Sequence, residues 1–249
     1  DGLFMNDVLT GDKYSGLVQQ TRSIITQIKP DIVISFMQHS FMLISKAIGD
    51  LEIPIVFAHR DDPARYYKYG IINYKYLDLF MKKAAANVIQ LKEFGKYFQK
   101  EILKRTCVIP NVVECDAGIG IVKTEKNNDV KIIISVGRLV SCKNHELLIR
   151  AFNEIAHEYK EWIVKIFGEG EESGKLNSLI KTLGLENRVF IMENSKKIRE
   201  ELLKSDIFAF PSRFEGFSRA LTEAMAIGLP AIVIRDSISN SSLIKQSEG

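Results

Sequence analysis

The chain has 249 residues, 46% of them hydrophobic and 26% charged, which supports one large or two modest globular cores and excludes a disordered chain. Its 34 basic and 31 acidic residues leave a formal charge of +3, too little to make nucleic acid the partner. The three cysteines, Cys107, Cys115 and Cys142, form no CxxC pair and no dense disulfide framework, so they read as free thiols of a reducing compartment.

The chain opens Asp1-Gly2-Leu3-Phe4, with neither an initiating methionine nor a basic segment before an apolar one, so no secretory signal is read and further residues are expected before Asp1. A helical pattern runs over 14–28 and ends at Lys29-Pro30, and 31–36 reads as a buried strand. A helix over 40–48, a strand over 53–58, a helix over 70–84, a strand over 87–90, a helix over 92–104 and a strand over 107–109 follow. The longest apolar runs, such as 53–58 and 131–136, are strand-sized, far short of the roughly 20 residues of a spanning helix. Residues 114–129 mix Gly, Lys, Glu, Asn and Asp and read as a surface connection. Beyond it the alternation restarts with strands at 131–136, 162–167, 189–192, 206–210 and 230–234 and helices at 143–158, 171–183, 196–204 and 217–227. The fold class is therefore α/β, two Rossmann-like parallel-sheet domains: 1–113, a connection over 114–130, and 131–249. Both domains read as incomplete: the first has no Gly-rich phosphate loop near its start, and 236–249 carries no clear closing helix.

Three strand-to-helix junctions carry the chemistry. Ser135-Val-Gly-Arg-Leu-Val-Ser-Cys-Lys-Asn-His145 follows a strong strand, so Gly137 allows a tight turn while Arg138 and Lys143 bring two cations to the carboxyl end of the sheet. A diphosphate suits that pair, and so does a bland alternative in which Ser141 caps the helix and Lys143 is solvated. In Phe167-Gly-Glu-Gly-Glu-Glu172, Gly168 and Gly170 permit close approach of a ligand, although the glutamates repel anions; a tight turn whose carboxylates complement the helix dipole is the other reading. The most informative run is Phe210-Pro-Ser-Arg-Phe-Glu-Gly-Phe-Ser-Arg-Ala-Leu-Thr-Glu223. It places Glu215 in a loop, the backbone N–H groups of Gly216, Phe217 and Ser218 at a helix start, and Glu223 further along the helix. Two carboxylates flanking an anion-binding turn match a ligand with hydroxyls at both ends and phosphates between them, as in a sugar nucleotide.

The second half resembles the retaining glycosyltransferases of family 4, of the GT-B fold, through "VGRL…KN", "FGEGEE", "LGLENRV" and "FPSRFEGFSRALTEAMAIGLPAIV". The spacing of Glu215 and Glu223 is similar to that family's most diagnostic motif, and the match extends loosely over 30–113 through "KPDIVISF", "PIVFAHRDDP" and "VIPNVV". The resemblance implies that Arg138 and Lys143 neutralise the donor diphosphate, that Glu223 holds the ribose, and that Glu215 contacts the transferred sugar. It also implies that His59 reaches that sugar from the first domain; His39 is a weaker candidate on the acceptor side. Two departures are Met192-Glu193-Asn194, where relatives have a glycine, and Ser218, where they commonly have another. The implied reaction moves a hexose-type residue from a nucleoside diphosphate, a UDP-sugar by preference, to a hydroxyl acceptor on a glycan or lipid-linked glycan, with retention. No metal is implied: Asp61-Asp62 is not a spaced Asp-x-Asp, and four scattered histidines form no zinc pattern. The implied setting is bacterial polysaccharide, lipopolysaccharide or capsule synthesis in the cytoplasm, with peripheral contact at the inner face of the membrane. A sugar-nucleotide 2-epimerase and a non-catalytic sugar-nucleotide-binding module are the alternatives, and the chain by itself need not be active.

Overall fold

The computed structural model describes residues 12–67, 74–113, 130–235 and 237–247. The chain divides into two compact units, residues 1–111 and 112–249. Residues 114–129, expected to connect them, lie outside the described residues.

The first unit runs α1 (Asp12–Ile28), β1 (Val33–Phe36), α2 (Gln38–Ile48), β2 (Ile55–Ala58), α3 (Ala64–Tyr67), α4 (Tyr74–Lys83), β3 (Ala86–Ile89), a 3-10 turn (Lys92–Tyr97), α5 (Lys100–Leu103) and β4 (Thr106–Val108). Its four strands pair in parallel in the order β1-β2-β3-β4, with Ser35 opposite Phe57 and Ala58 opposite Val88. Val18, Ile25, Ile44, Ala47 and Ile48 of α1 and α2 pack over one face with Val33 and Ile55. The single helix expected over 92–104 is corrected to a 3-10 turn and a short helix. Gly95 weakens the helix locally, and the chain is extended at Phe98 (φ −103°, ψ 148°) and Gln99, which brings the Phe98 ring against His59 and the Gln99 amide to Asp78 at 2.8 Å.

The second unit runs β5 (Lys131–Val136), a 3-10 turn (Ser141–Lys143), α6 (His145–Ile155), β6 (Trp162–Phe167), α7 (Ser173–Thr182), β7 (Val189–Met192), α8 (Ile198–Lys204), β8 (Ile207–Phe210), α9 (Arg219–Ala226), β9 (Ala231–Val233) and α10 (Ile238–Ser247). The strands are all parallel in the order β7-β6-β5-β8-β9. Short runs such as KIIISV and WIVKIF can be apolar nearly throughout because helices cover both faces, and Ile134, Val164, Ile166 and Phe208 are completely buried. One helical layer contributes Ile149, Phe152, Leu176 and Ile180 to a core with Leu139 and Val189. Arg188 closes the end of α6: its guanidinium donates to the carbonyls of Trp162 (2.8 Å) and Tyr159 (2.7 Å) and lies over the Phe152 ring.

The expectation that no helix closes this unit is corrected by α10. Its Ser- and Asn-rich sequence has a weak apolar period, and it is held instead by burial of Leu243, Ser237, Ser239 and Asn240, the last donating its amide to the Ser212 carbonyl at 3.2 Å.

In this strand order the connections leave β5 in opposite directions, which places the loops after β5 and β8 side by side at the carboxyl edge of the sheet, where open α/β sheets form their ligand crevice. The loops after β5 and β6 are themselves laced together. Gly137 N–H donates to Phe167, Leu139 N–H to Glu169, and Glu172 N–H to Leu139, all within 3.0 Å. Gly168 makes this possible, since a Cβ there would lie 1.9 Å from the Gly137 carbonyl oxygen. Gly168→Ala is therefore expected to destabilise the second unit by about 2 kcal/mol or more, because the obstructing atom is backbone and cannot swing away. Denaturant unfolding measures it; an unchanged midpoint would contradict the packing described.

Candidate functional site

The site is built on the loops after β5 and β8. After β5 the chain turns at Gly137, exposes Arg138, sinks Leu139 into the core and forms the 3-10 turn that ends at Lys143. Asn144 then adopts a left-handed conformation (φ 56°, ψ 37°), which redirects the chain into α6; asparagine tolerates that region far better than branched residues. The helix expected over 143–158 thus begins only at His145, and Lys143 belongs to the turn that faces the crevice.

After β8 the buried Pro211-Ser212 pair leads into an exposed Arg213. Its N–H donates to the Cys142 carbonyl at 2.9 Å and its guanidinium approaches Asn144 Oδ1 at 3.4 Å. Lys143 Nζ pairs with a Glu215 carboxylate oxygen and sits 5.6 Å from the centre of the Phe210 ring. The two loops are consequently one cross-linked body.

Ser218 is the N-cap of α9, its Oγ accepting from Leu221 N–H at 3.3 Å. The backbone N–H groups of Gly216, Phe217 and Ser218 donate to no group among the described residues. Glu223 lies in the second turn of α9, half-exposed, and accepts from Arg219 at 3.2 Å. Arg138 has no ion-pair partner among the described residues. Among the described residues the Arg138 guanidinium and these three N–H groups are left without a protein acceptor, while the Lys143 ammonium is paired with Glu215; groups of these kinds can bind an anion, and carboxylates such as Glu215 and Glu223 can accept from hydroxyls.

The structure brings Lys143 to Glu215 and sets the Lys143 stem against Gly137, with Arg138 next along the same loop; Gly216, Phe217 and Ser218 follow Glu215 in the chain, and Glu223 lies in the second turn of the helix they enter. Gly168 lies beside Gly137, but its open side is filled by the Gly137 carbonyl, so its smallness serves loop packing. His59 belongs to the other unit. Its ring is fully buried between Phe57 and Phe98, with Nδ1 3.1 Å from the Asp61 carbonyl and Nε2 3.4 Å from the Gln38 amide. Burial lowers its pKa to about 4, partly offset by Asp61. Neighbouring Asp62 is buried as well, and the loss of solvent raises its carboxyl to about 6. His39 is exposed in the first turn of α2. Among the described residues no group of three or more His, Cys, Asp or Glu side chains could hold a metal ion, and no helix is long and apolar enough to cross a membrane.

Sequence reasoning passed over Asn144 and Arg213, and read His145 as a helix residue serving packing or solvation. His145 opens α6 directly beneath the turn, 2% exposed, with Nδ1 3.4 Å from Ser135 Oγ and its ring close to the Arg138 and Gly137 backbone. Position alone marks it: the first residue of a helix that follows a cationic turn must sit under that turn.

Residues 120–249 match the Glycosyl transferases group 1 family. The two Rossmann-like sheets define a GT-B-like protein, and the chain belongs to that family. An uncharacterised glycosyltransferase of Methanocaldococcus jannaschii is 30% identical over 84% of this chain and 56% of its own length. The N-acetylgalactosamine-N,N'-diacetylbacillosaminyl-diphospho-undecaprenol 4-alpha-N-acetylgalactosaminyltransferase of Campylobacter jejuni is 42% identical over 43% of this chain and 28% of its own. Among solved structures, TarM of S. aureus in complex with fondaparinux, alpha-GlcNAc-glycerol and UDP superposes with a TM-score of 0.74 at 16% identity, over 91% of this chain and 46% of that one. Anabaena HepE in complex with UDP and glucose gives 0.71 at 20% identity, over 92% and 64%. These likenesses show the fold, and the chain spans about half the length of the first curated relative.

The buried ring of His145 has a measurable consequence. Its pKa is lowered from 6.5 to about 4, chiefly by burial, with the Arg138 and Gly137 backbone offsetting part of the shift. The unfolded chain therefore takes up the proton first. Stability is complete above pH 6.5 and declines as the pH falls toward 4, by about 3 kcal/mol in all. His59 acts with the same sign and Asp62 with the opposite one, so comparison with a His145→Gln variant isolates this ring. The variant is expected to show a shallower acid decline in urea unfolding of the second unit; parallel curves for the two proteins would rule the effect out.

Proposed function

We propose that the second unit, residues 131–249, binds the nucleoside-diphosphate sugar of a retaining glycosyltransferase. Residues 1–113 then form the acceptor-side domain and 114–130 the connection. The observation that carries the reading is that the loop bearing Arg138 and Lys143 is joined, through Lys143–Glu215 and Arg213–Cys142, to the loop that leads into Gly216, Phe217 and Ser218, where the strand order reverses. A diphosphate fits that edge, and the flanking carboxylates separate the two hydroxyl-bearing ends of the ligand. Glu223 receives the ribose hydroxyls once Arg219 yields it, and Glu215 the transferred sugar. UDP is the favoured nucleotide part, in keeping with the UDP complexes of TarM and HepE.

In the transfer, the bond between the anomeric carbon and the diphosphate oxygen breaks while a new bond to an acceptor hydroxyl oxygen forms on the same face, and the acceptor proton passes to the departing phosphate. Negative charge accumulates on the leaving group as the sugar becomes oxocarbenium-like. Arg138 and the three N–H groups stabilise that charge, and Lys143 joins them once it leaves Glu215. Glu215 is not assigned a nucleophilic role. A glycan or lipid-linked glycan is the acceptor in this reading, with peripheral membrane contact through surface such as the exposed Lys82-Lys83 end of α4. The role of His59 at the donor sugar rests on the resemblance of its segment, and it requires the Gln38–His59 contact to open.

Calorimetry with UDP, GDP, ADP and UDP-hexoses tests the donor site. One nucleotide is expected to bind selectively, and Glu223→Ala to weaken it about tenfold, the worth of one or two hydrogen bonds to a charged acceptor. With the donor so identified, Arg138→Ala and Lys143→Ala are each expected to lower turnover about 100-fold or more through lost leaving-group stabilisation. Turnover within about twofold of the parent in both variants would remove the electrostatic role assigned here.

A further inference from the structure

Lys143 and Arg138 reach the same crevice in different states. Arg138 is exposed and unpaired among the described residues. Lys143 is already neutralised by Glu215, and both members of that ion pair are largely withdrawn from solvent, 17% and 12% exposed. The carboxylate thus occupies the ammonium that a diphosphate would need. Separating them costs more than breaking a surface ion pair, because each side chain would be left poorly solvated.

We propose that Glu215 makes the site discriminate a sugar-bearing nucleotide from the bare nucleoside diphosphate, by competing with the diphosphate for Lys143 unless a sugar hydroxyl satisfies its carboxylate. The inference rests on the donor-site reading and adds a selectivity that the reading alone does not contain. An ionised carboxylate accepts hydrogen bonds and donates none. When a bare diphosphate claims Lys143, Glu215 faces a second anion with no donor in place of the ammonium. A hexose attached to that diphosphate supplies hydroxyl donors at the carboxylate, so the same displacement is compensated. Once the sugar has been transferred the compensation disappears, Glu215 recovers Lys143, and the product diphosphate is displaced. Specificity of this kind comes from a penalty against the wrong ligand as well as from attraction to the right one.

The test measures binding of UDP and of a UDP-hexose to the full chain in four forms: the parent, Glu215→Gln, Lys143→Met and the double variant. Glu215→Gln is expected to bind UDP about tenfold more tightly, while affinity for the UDP-hexose rises by less than about twofold or falls. In the Lys143→Met background the same substitution is expected to change UDP affinity by less than about twofold, because no ammonium remains to compete for. Three outcomes would overturn the inference: UDP affinity unchanged or weaker in Glu215→Gln, an equal gain for both ligands, or an equal gain with and without Lys143. The last would mean that any nearby negative charge repels the nucleotide. Thermal midpoints of all four proteins accompany the titrations, and Glu215→Ala serves as a second neutral variant should the glutamine form fold poorly. UDP binding that depends on Lys143 but not on Glu215 overturns this inference alone; no nucleotide binding in any form overturns the donor-site reading and this inference with it.

Discussion

The second unit depends on the hydrogen bonds that tie the loop after β5 to its neighbours on both sides. On one side Gly137 and Leu139 are laced to the loop after β6; on the other Cys142, Lys143 and Asn144 are joined to the loop after β8. A parallel sheet directs all its strand ends to one edge, where loops would otherwise be held only at their roots. Lacing turns three such loops into a single surface. That lacing fixes the backbone positions from which Arg138, Lys143 and Glu215 project.

Much of this was legible in the sequence. Parallel strands covered on both faces read as short, nearly continuous apolar runs, so 131–136, 162–167 and 189–192 coincide with β5, β6 and β7. The junction residues were legible too, since glycines, cations and carboxylates between a strand and a helix have few other places to go. What stayed hidden depends on tertiary partners. The 3-10 turn before α6 follows from the left-handed backbone at Asn144, and nothing in a helical period signals a one-residue reversal. Helix α10 is held by contacts such as Asn240 to Ser212, which no local pattern of serines could announce. Gly168 was correctly singled out as a residue that must be small, but the atom needing the space belongs to Gly137 rather than to a ligand.

The two histidines that open or follow sheet junctions illustrate how environment overrides residue type. His59 and His145 each lie near the carboxyl end of a strand, and burial keeps each ring neutral over the physiological range. At His145 a charged imidazolium would add a cation beneath the turn and push against Lys143. A neutral ring supports the turn without that repulsion.

The position of β5 also bears on how the unit comes to exist. It pairs with β6, the next strand in the chain, and with β8, which arrives only after two further crossovers. An apolar cluster, from Leu139 through Ile149, Val164 and Leu176 to Val189, lies entirely within the β5–β7 half. Contacts close in sequence cost less chain entropy to form than distant ones, so this half can collapse while β8 is still unplaced. Arg213 and Glu215 meet Asn144 and Lys143 only when β8 docks, so by sequence separation the core of this half costs less to form than the loop-to-loop links above it.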